Sequence, residues 1–380
     1  MIPYGRQDIS EEDIAAVVEV LRSDFLTQGP AVGRFEEALK RHCDAPFAVA
    51  MNSGTSALHL ACQALGLGPG ERLWTSPISF AASANCARYC GASVDFVDID
   101  PATRNLGVDA LARKLEQAAA ARALPRIVVP VHFAGQSCEM QEIRRLADRY
   151  GFYVVEDAAH ALGAEYRGTR VGSCAYSHAA VLSFHPVKHV TTGEGGAVTT
   201  RDPALAQQLS LLRTHGITRE RASMRNEPEG GWYYEQLALG FNFRMTDIHA
   251  ALGTSQLKRL EAFVRRRREL ADRYDRLLAG LPITRPGRSP SGNPSWHLYV
   301  VQVENRRRVY DALRAAGIGV NVHYIPVHWH PYYQALGFRR GDFPHAERYY
   351  GGALTLPLYA TLTDAEQDKV VAELGRAVQA

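Results

Sequence analysis

Apolar runs and segments with helical spacing alternate along the chain from about residue 47 to residue 215. The apolar runs predict strands at Phe47–Ala50, Arg72–Thr75, Ser93–Val97, Arg126–Val131, Tyr153–Val155, Ala179–Ser183 and Gly196–Thr199. Helical patterns lie between them, for example at Thr55–Leu65, Glu139–Tyr150 and Ala204–Thr214. This alternation predicts an α/β fold with a parallel sheet between two layers of helices. Ligands of such sheets bind at the carboxyl ends of the strands.

The pattern changes after residue 245. A long helical pattern spans Thr246 to Gly280, and a segment rich in Pro, Gly and Ser follows from Pro282 to Pro294. A small α+β unit is then predicted, with strand, helix, strand and helix at His297–Val303, Arg306–Ala316, Val320–Tyr324 and Asp364–Val378. We therefore expect a large domain at residues 1–255 and a small one at residues 256–380. The run Arg265–Arg268 is expected to be a solvated helix face rather than a nucleic-acid contact.

Composition and charge narrow the class of protein. The chain has 380 residues, 46% of them apolar, and a net charge of +3, which gives no reason to expect a nucleic-acid or membrane-surface partner. The apolar runs are shorter than the roughly 18 residues of a spanning helix, and Met1 to Ser10 lacks the layout of a signal peptide. We expect a cytosolic protein. The six scattered cysteines form no C-x-x-C pair and are expected to be reduced, mostly buried thiols.

The segment Asn52–Leu58 follows an apolar strand and opens a helix. Gly54 permits a tight turn, and Thr55 and Ser56 place hydroxyl and amide groups at a helix start, where the dipole favours a phosphate. An ordinary helix cap is an equally good interpretation of these residues. No Gly-x-Gly-x-x-Gly or Walker-type loop occurs in the sequence.

Two further segments bring candidate catalytic groups. The strand within Phe152–His160 ends in acidic residues, which would deliver the Asp157 carboxylate to the ligand edge of the sheet as a partner for a cation, as a helix cap or as a metal ligand. Lys188 is one of only five lysines, and the other four lie in patterns typical of exposed helices. Lys188 instead lies between a strand and a glycine-rich stretch. A lysine on a shaped, partly desolvated loop can form a Schiff base with a carbonyl.

Taken together, these segments resemble the DegT/DnrJ/EryC1/StrS family of aminotransferases, which depend on pyridoxal 5′-phosphate (PLP). The resemblance rests, in the family's order, on Asn52–Leu58 (NSGTSAL), Glu156–His160 (EDAAH), Ser183–Lys188 (SFHPVK), Gly193–Gly196 (GEGG) and Gly240–Met245 (GFNFRM). Within the family, the chain is similar to the branch that aminates UDP-linked sugars in pseudaminic acid synthesis. That similarity rests on Ile2–Gln7, Ser23–Pro30, Ser76–Ala82, His323–His328 and Pro357–Tyr359.

The resemblance implies the fold and the reaction. The fold would be type I of the PLP-dependent transferases, with a mostly parallel seven-stranded sheet in the large domain and a smaller C-terminal α+β domain. L-glutamate would give its amine to PLP, and the amine would then pass to C4 of a UDP-linked 4-keto-6-deoxy-N-acetylhexosamine. The family also implies a homodimer with shared active sites.

The resemblance also assigns residues. Lys188 would bind PLP and move the proton at the substrate carbon, and Asp157 would pair with the pyridine nitrogen. Other cofactor contacts are expected from Gly54, Thr55, Ser56, Phe80, His160, Ser183 and Asn242. Phe80 would stack on the pyridine ring, although a lone Phe is more often a core residue. Asn242, with Arg244, lies in the segment that crosses between subunits in the family, and by itself Asn242 could equally be a turn residue. Many relatives carry Gln at the position of His160, so its hydrogen bonding is open.

For the sugar nucleotide, the matched positions are Tyr4, Leu26, Thr27, Gln28, Gly29, His323 and Tyr324. Arg6, Arg213 and Arg219 are candidate partners for the diphosphate or the donor carboxylates. The histidines His323, His328 and His330 raise the question of zinc. We expect no metal, because proline interrupts this tract and no cysteine or carboxylate lies nearby in the sequence.

Several alternatives stay open at this point. The chain could aminate another nucleotide-linked 4-keto sugar. It could also be a PLP-dependent sugar dehydratase, although such relatives typically carry His where this chain has Lys188. A regulator that binds a sugar nucleotide without catalysis is a non-enzymatic alternative. A nicotinamide-dependent oxidoreductase lacks its glycine fingerprint here.

Overall fold

The computed structural model describes residues 1–379 and is built around a seven-stranded sheet. The strands are β1 (Phe47–Met51), β2 (Arg72–Thr75), β3 (Ser93–Phe96), β4 (Ile127–Val129), β5 (Tyr153–Asp157), β6 (Glu165–Tyr166), β7 (Thr169–Arg170), β8 (Ala179–Ser183), β9 (Gly196–Thr200), β10 (Ile217–Thr218), β11 (Glu235–Gln236), β12 (Gly292–Asn293), β13 (Tyr299–Gln302) and β14 (Ala353–Leu356). The large sheet has the order β1-β9-β8-β5-β4-β2-β3. Strand β9 runs antiparallel to both neighbours, and the other neighbouring pairs are parallel. The predicted mostly parallel sheet is thus confirmed.

Helices flank this sheet and build the C-terminal part of the chain. They are α1 (Glu11–Leu21), α2 (Pro30–Cys43), α3 (Gly54–Ala64), α4 (Ala82–Tyr89), α5 (Val108–Ala120), α6 (Met140–Tyr150), α7 (Pro203–Leu212), α8 (Asp247–Leu257), α9 (Leu260–Leu277), α10 (Arg306–Ala315), α11 (Pro331–Gln334), α12 (Pro344–Gly352) and α13 (Asp364–Gln379). Across residues 1–379, none of these helices combines the length and apolar character needed to traverse a bilayer.

Side chains that alternate along the strands divide the core between the two faces of the sheet. Val181 of β8 packs in the cluster that contains residues of α3, α4 and α7, whereas its neighbour Leu182 packs with α2, α8 and α9. Val155 and Val154 of β5 separate in the same way, and Val154 packs with α5 and α6. Successive strand residues point to opposite faces, so continuous apolar runs are buried on both sides by helices. All six cysteines are free and five are buried, as predicted.

The C-terminal part departs from the prediction in two places. The single long helix expected from Thr246 to Gly280 is two helices, α8 and α9, with a break at Lys258 and Arg259. The segment Val320–Tyr324 is not a strand, since only Asn321 makes an isolated bridge, to Thr355. Strand β14 supplies the partner that pairs with β13 instead. The division into domains at residues 255 and 256 stays a prediction.

The prediction that Arg265–Arg268 form a solvated face is wrong for Arg267. Its side chain is only 2% exposed, and its guanidinium donates to the backbone carbonyls of Trp296, His297 and Leu358 at 2.9 to 3.3 Å. Burial lowers the pKa of Arg267 to about 10. Buried backbone carbonyls are costly without a hydrogen-bond donor, and the inward-facing Arg267 guanidinium supplies one to three of them.

Candidate active site

A cavity of about 530 Å³ opens where several strands of the large sheet end. Strand β5 delivers Asp157 to it, strand β8 delivers Ser183, and the start of helix α3 brings Gly54 and Thr55. Its volume lies within the usual range for small-molecule sites, roughly 300 to 1,000 Å³. The sheet edge predicted from the strand pattern is therefore the edge that carries the cavity.

The first wall of the cavity is the start of helix α3. Ser53 caps the helix, and its hydroxyl oxygen accepts a hydrogen bond from the Ser56 amide at 3.1 Å. A Cβ atom on Gly54 would lie 3.1 Å from Cβ of Ser183, and one on Gly196 would lie 2.4 Å from the Ser53 backbone. Glycine at these two positions lets the helix start lie close to the sheet, where its amide groups and dipole favour an anion.

Asp157 is held at the end of strand β5 by a short hydrogen-bond chain. Ser83 donates to Oδ2 at 2.5 Å, Ser79 and Ser83 share a hydrogen bond of 2.6 Å, and the Ala159 amide donates to Oδ1 at 3.1 Å. The side chain lines the cavity and is only 5% exposed. Among residues 1–379, no group of three or more His, Cys, Asp or Glu side chains is placed to hold a metal ion. The carboxylate is thus fixed as an acceptor that faces the cavity.

Lys188 follows strand β8 in a turn, where its amide donates to the His185 carbonyl at 2.9 Å. Its side chain lines the same cavity as Asp157. Burial lowers the pKa of the Lys188 amine to about 8, although the Asp157 charge acts in the opposite direction. At pH 7 about a tenth of the molecules would then carry a neutral, nucleophilic amine, against about one in 3,000 for an unperturbed lysine.

The other lysines differ from Lys188, although one departs from its expected exposure. Lys40 pairs with Glu37 on a helix surface, and Lys258 and Lys369 are exposed. Lys114 is partly buried, because its ammonium binds Asp95 at 2.7 Å and the Phe96 carbonyl at 2.6 Å. None of these four side chains lines the cavity among the residues described.

The opposite wall of the cavity is rich in histidine and tyrosine. His160 Nε2 lies 3.0 Å from the hydroxyl of Tyr324, and the rings of His160 and His297 are 4.4 Å apart. His323 Nδ1 forms a 2.8 Å hydrogen bond with the Thr355 hydroxyl, and its ring lies 5.4 Å from that of Tyr4. Burial and then the nearby Lys188 charge lower the pKa of His160 and His297, and they lower the pKa of His323 to about 3. These imidazoles are therefore neutral at pH 7.

Several residues predicted for the site lie in this cavity. Tyr4, Gly54, Thr55, Phe80, Asp157, His160, Ser183, Lys188, His323 and Tyr324 line it together. Phe80 is 64% exposed, so it is not a core residue. The hydroxyl of Ser56 instead contacts that of Ser53 at 3.0 Å, and Ser56 lines a neighbouring cleft with Thr55 and Phe243.

Other predicted residues lie elsewhere in the chain. Leu26, Thr27, Gln28 and Gly29 approach helix α8, where the Gly29 amide donates to Asp247 at 2.8 Å and Thr27 bridges Thr246. Asn242 bridges Thr214. In the part of the chain that the structure describes, none of these residues lines the cavity. Within one chain these segments therefore lie away from the cavity, and their contacts with cofactor and sugar stay predictions.

The three candidate arginines have different environments. Arg213 donates to the Ala50 carbonyl at 2.6 Å and pairs with Glu36, so its guanidinium already has partners. Arg219 is exposed and lies over the Tyr234 ring. Arg6 lines a small space behind Lys188. The expectation that the tract around His328 lacks a carboxylate is wrong, because Glu347 lies 2.9 Å from His328 Nε2.

Sequence analysis missed His297, Ser79 and Ser83 as site residues. Ser79 lies within a segment that carried the family resemblance, but nothing in its spacing indicates a bond to Ser83. His297 begins a predicted strand, and a single histidine before an apolar run carries no functional signal. Its position on the cavity wall depends on a contact between residues 160 and 297, which no local pattern encodes.

The residues present fit PLP. The helix start can receive its phosphate, Asp157 is an acceptor for its ring nitrogen, and Lys188 is an amine for its aldehyde. One buried polar atom of the segment that leads into helix α3, Asn52 Oδ1, has no hydrogen-bond partner within residues 1–379 and is available to a bound group.

A lysine amine and a carboxylate that share the ligand edge of this sheet define the class of PLP-dependent transferases of fold type I. Within that class, the chain belongs to the DegT/DnrJ/EryC1/StrS aminotransferase family, whose model matches residues 7–375. The chain is therefore an aminotransferase with PLP as its cofactor.

Individual relatives cover nearly the whole chain. The spore coat polysaccharide biosynthesis protein SpsC of Bacillus subtilis is 41% identical over 97% of this chain and 95% of its own. The UDP-4-amino-4,6-dideoxy-N-acetyl-beta-L-altrosamine transaminase of Campylobacter jejuni is 37% identical over 94% of this chain and 93% of its own.

Solved structures of similar proteins have the same fold. PseC of Helicobacter pylori, an aminotransferase involved in the biosynthesis of pseudaminic acid, has a TM-score of 0.91 and 30% identity over 100% of this chain and 99% of its own. The PLP form of the sugar aminotransferase Spr1654 from Streptococcus pneumoniae has a TM-score of 0.89 and 30% identity over 100% of this chain and 98% of its own.

Proposed function

We propose that this protein transfers the amine of L-glutamate to C4 of a UDP-linked 4-keto-6-deoxy-N-acetylhexosamine, as in pseudaminic acid synthesis. The observation that carries the proposal is the Lys188 amine, whose pKa is lowered to about 8, in one cavity with the Asp157 carboxylate. The similarity to the Campylobacter transaminase supports the UDP-linked sugar, and the similarity to PseC supports the pseudaminic acid pathway; both similarities extend over nearly the whole chain.

Each wall of the cavity has a part in this reaction. When bound, PLP supplies an aldehyde that takes up the amine and a ring that accepts electron density. Lys188 would hold that aldehyde and, once freed, would move the proton between the substrate carbon and C4′ of the cofactor, for which a pKa near the working pH is favourable. Asp157, fixed by Ser83, keeps a positive charge at the pyridine nitrogen. The α3 start with Gly54 and Thr55 would bind the phosphate, and Ser183 would add a hydroxyl. Ser56, whose amide and hydroxyl both contact Ser53, supports this helix start.

The remaining cofactor and substrate contacts come from both sides of the cavity. Phe80 would contact the pyridine ring, and an aromatic contact adds about 1 kcal/mol beyond burial. His160 would contribute to holding the cofactor, and Tyr4, His323 and Tyr324, which line the same cavity, would contact the sugar nucleotide. A neutral, histidine-rich wall suits an acceptor that binds through hydroxyl, amide and carbonyl groups.

A second copy of the chain completes the site in this proposal. Leu26–Gly29 and Asn242 lie away from the cavity of their own chain, and apolar side chains beside them are exposed, with Phe25 52% and Leu239 78% accessible. Exposed apolar side chains next to segments that are predicted for the site, but lie outside the cavity of their own chain, support a homodimer. The cytosolic location and the expected lack of membrane and nucleic-acid partners stay predictions from the sequence.

The reaction can be tested with a panel of acceptors. Purified holoenzyme is mixed with L-glutamate and with 4-keto-6-deoxy sugars linked to UDP, GDP or dTDP, and mass spectrometry follows the products. We expect a 4-amino sugar and one equivalent of 2-oxoglutarate, with the UDP-linked acetamido sugar used best and no product from Lys188→Ala. A deoxy sugar with free ammonia would indicate a dehydratase, and preference for GDP or dTDP would correct the substrate.

The shared site can be tested by complementation. If the proposal is correct, Lys188→Ala and Asn242→Ala homodimers are both impaired, and mixed dimers regain one intact site. Refolding the two variants together should then restore up to about a quarter of wild-type activity, because half of the random dimers have one working site of two. A monomer in light scattering, or no recovery in the mixture, would refute the shared site.

A further inference from the structure

We propose that the Tyr324 hydroxyl donates a hydrogen bond to the keto oxygen of the sugar acceptor. In this proposal His160 is a positioning residue: it donates to the Tyr324 oxygen and so leaves the Tyr324 hydrogen for the acceptor. The inference rests on the proposed function, since it names the group that recognises the acceptor carbonyl. It starts from one contact, the 3.0 Å hydrogen bond between His160 Nε2 and the oxygen of Tyr324.

The two ring nitrogens of His160 have different surroundings. Nδ1 is buried and has no hydrogen-bond partner within residues 1–379, whereas Nε2 faces the Tyr324 oxygen. A neutral imidazole carries one proton, and a buried donor without an acceptor is strongly disfavoured. The proton therefore lies on Nε2, and His160 donates to Tyr324.

The surroundings also keep His160 neutral. The side chain is only 5% exposed, and its ring lies 4.4 Å from the ring of His297. Burial, and then the charges that Lys188, His323 and His189 can carry, lower its pKa well below the usual value. A second proton on the ring is thus excluded at neutral pH. The hydrogen bond can then run in only one direction, from His160 to Tyr324.

Tyr324 then has its own hydrogen free for a ligand. Its oxygen already accepts from His160, and burial followed by the Asp157 charge raises the pKa of the phenol, so that the hydroxyl stays protonated. Tyr324 lines the cavity that Lys188 also lines. A keto oxygen accepts hydrogen bonds and cannot donate one, so it matches a hydroxyl fixed as a donor.

The neighbouring polar groups are already committed. His323 Nδ1 is bonded to the Thr355 hydroxyl at 2.8 Å, and the Tyr349 hydroxyl donates to the His323 carbonyl at 2.8 Å. Asp157 is acceptor-only when ionised, and Lys188 is engaged in proton transfer. These contacts leave the proton of the Tyr324 hydroxyl unassigned, and Tyr4 is the other tyrosine that lines this wall.

The first test concerns the direction of the hydrogen bond and needs neither cofactor nor substrate. Long-range ¹H–¹⁵N spectra of ¹⁵N-labelled apoprotein at pH 7 distinguish the two tautomers, and His160→Gln identifies the signals. We expect a neutral ring protonated at Nε2. A proton on Nδ1, or a doubly protonated ring, would overturn the inference whatever the enzyme's substrate is.

The second test concerns the acceptor. With the UDP-linked 4-keto-6-deoxy-N-acetylhexosamine, Tyr324→Phe should lower kcat/KM for the acceptor by roughly tenfold to a hundredfold, which is the usual effect of one lost hydrogen bond in a buried site. The reaction with glutamate should fall much less. Tyr150→Phe, a partly buried tyrosine on helix α6, is the matched control. An equal loss in both half-reactions, or no loss, would refute the role of Tyr324.

Variants of His160 separate positioning from contact with the cofactor. His160→Gln retains an amide donor for Tyr324 and should keep more acceptor kcat/KM than His160→Leu, and this difference should disappear in the Tyr324→Phe background. A difference that persists there would show that His160 does not act through Tyr324. If the wild-type enzyme aminates no keto sugar, the proposed function fails, while the tautomer measurement still decides the direction of the hydrogen bond.

Discussion

The two walls of the cavity differ in how the chain builds them. Asp157 ends a strand of the large sheet, Lys188 follows another, and Gly54 opens the helix after a third, so the sheet positions all three. The facing wall combines His160 with His297 and Tyr324, each of which lies more than a hundred residues beyond His160 in the chain. The comparison teaches that local sequence patterns encode the reactive groups, while tertiary packing assembles the neutral groups that face them.

The largest expected effect comes from the amine on the sheet wall. Lys188→Ala should abolish both half-reactions, because one group holds the cofactor and moves the proton. The visible absorption of the lysine-bound cofactor should disappear with the activity, and borohydride should fix no label at this position. Near-normal transamination by the variant would refute the assignment.

A smaller but still large effect is expected at the neighbouring carboxylate. Asp157→Ala should lower kcat by about a hundredfold or more, since a preorganised charge at a reacting group is usually worth that much. Ser83→Ala removes a hydrogen bond to Asp157 and should cost about tenfold or less. Steady-state kinetics with saturating PLP would measure both, and a larger loss for Ser83→Ala would contradict the roles.

A moderate effect is expected where helix α3 approaches strand β8. Gly54→Ala places a Cβ 3.1 Å from Cβ of Ser183, so Ser183 or the helix start must give by a few tenths of an ångström and PLP should dissociate several-fold more readily. Gly33→Ala on helix α2 is the control, because no atom lies within 4 Å of its added Cβ. It should leave the PLP affinity unchanged and can stabilise the fold by up to about 1 kcal/mol. Equal PLP affinities for the two variants would contradict the close approach.

The smallest expected effect is a shift in the pH dependence of PLP capture, which the charged wall should change and the neutral wall should not. The pKa of Lys188 is lowered to about 8 by burial, so the rate at which apoprotein captures PLP should rise with pH and level off above about 8. The Asp157 charge raises this pKa, so Asp157→Asn should move the midpoint to lower pH. His297→Gln should leave it in place, because the neutral imidazole contributes no charge. Stopped-flow absorbance would measure the midpoints, and a shift in His297→Gln comparable to that in Asp157→Asn would contradict this account.

The same division explains what the sequence could predict. Strands such as Ala179–Ser183, and the positions of Lys188 and Asp157, follow from apolar runs that end in polar residues. The strand predicted at Val320–Tyr324 is wrong because its apolar residues lie in an extended segment, while Ala353–Leu356 provides the hydrogen bonds to β13. Pairing between segments about 50 residues apart is a tertiary choice, and alternation within one segment does not reveal it.

The buried guanidinium of Arg267 has a mechanical consequence. By donating to the backbone carbonyls of His297 and Leu358, it fastens helix α9 to two chain segments at once. The backbone that carries His297 is therefore tied to helix α9 through the Arg267 side chain. In hydrogen-exchange experiments, the backbone behind His297 should open only with the unfolding of α9 itself.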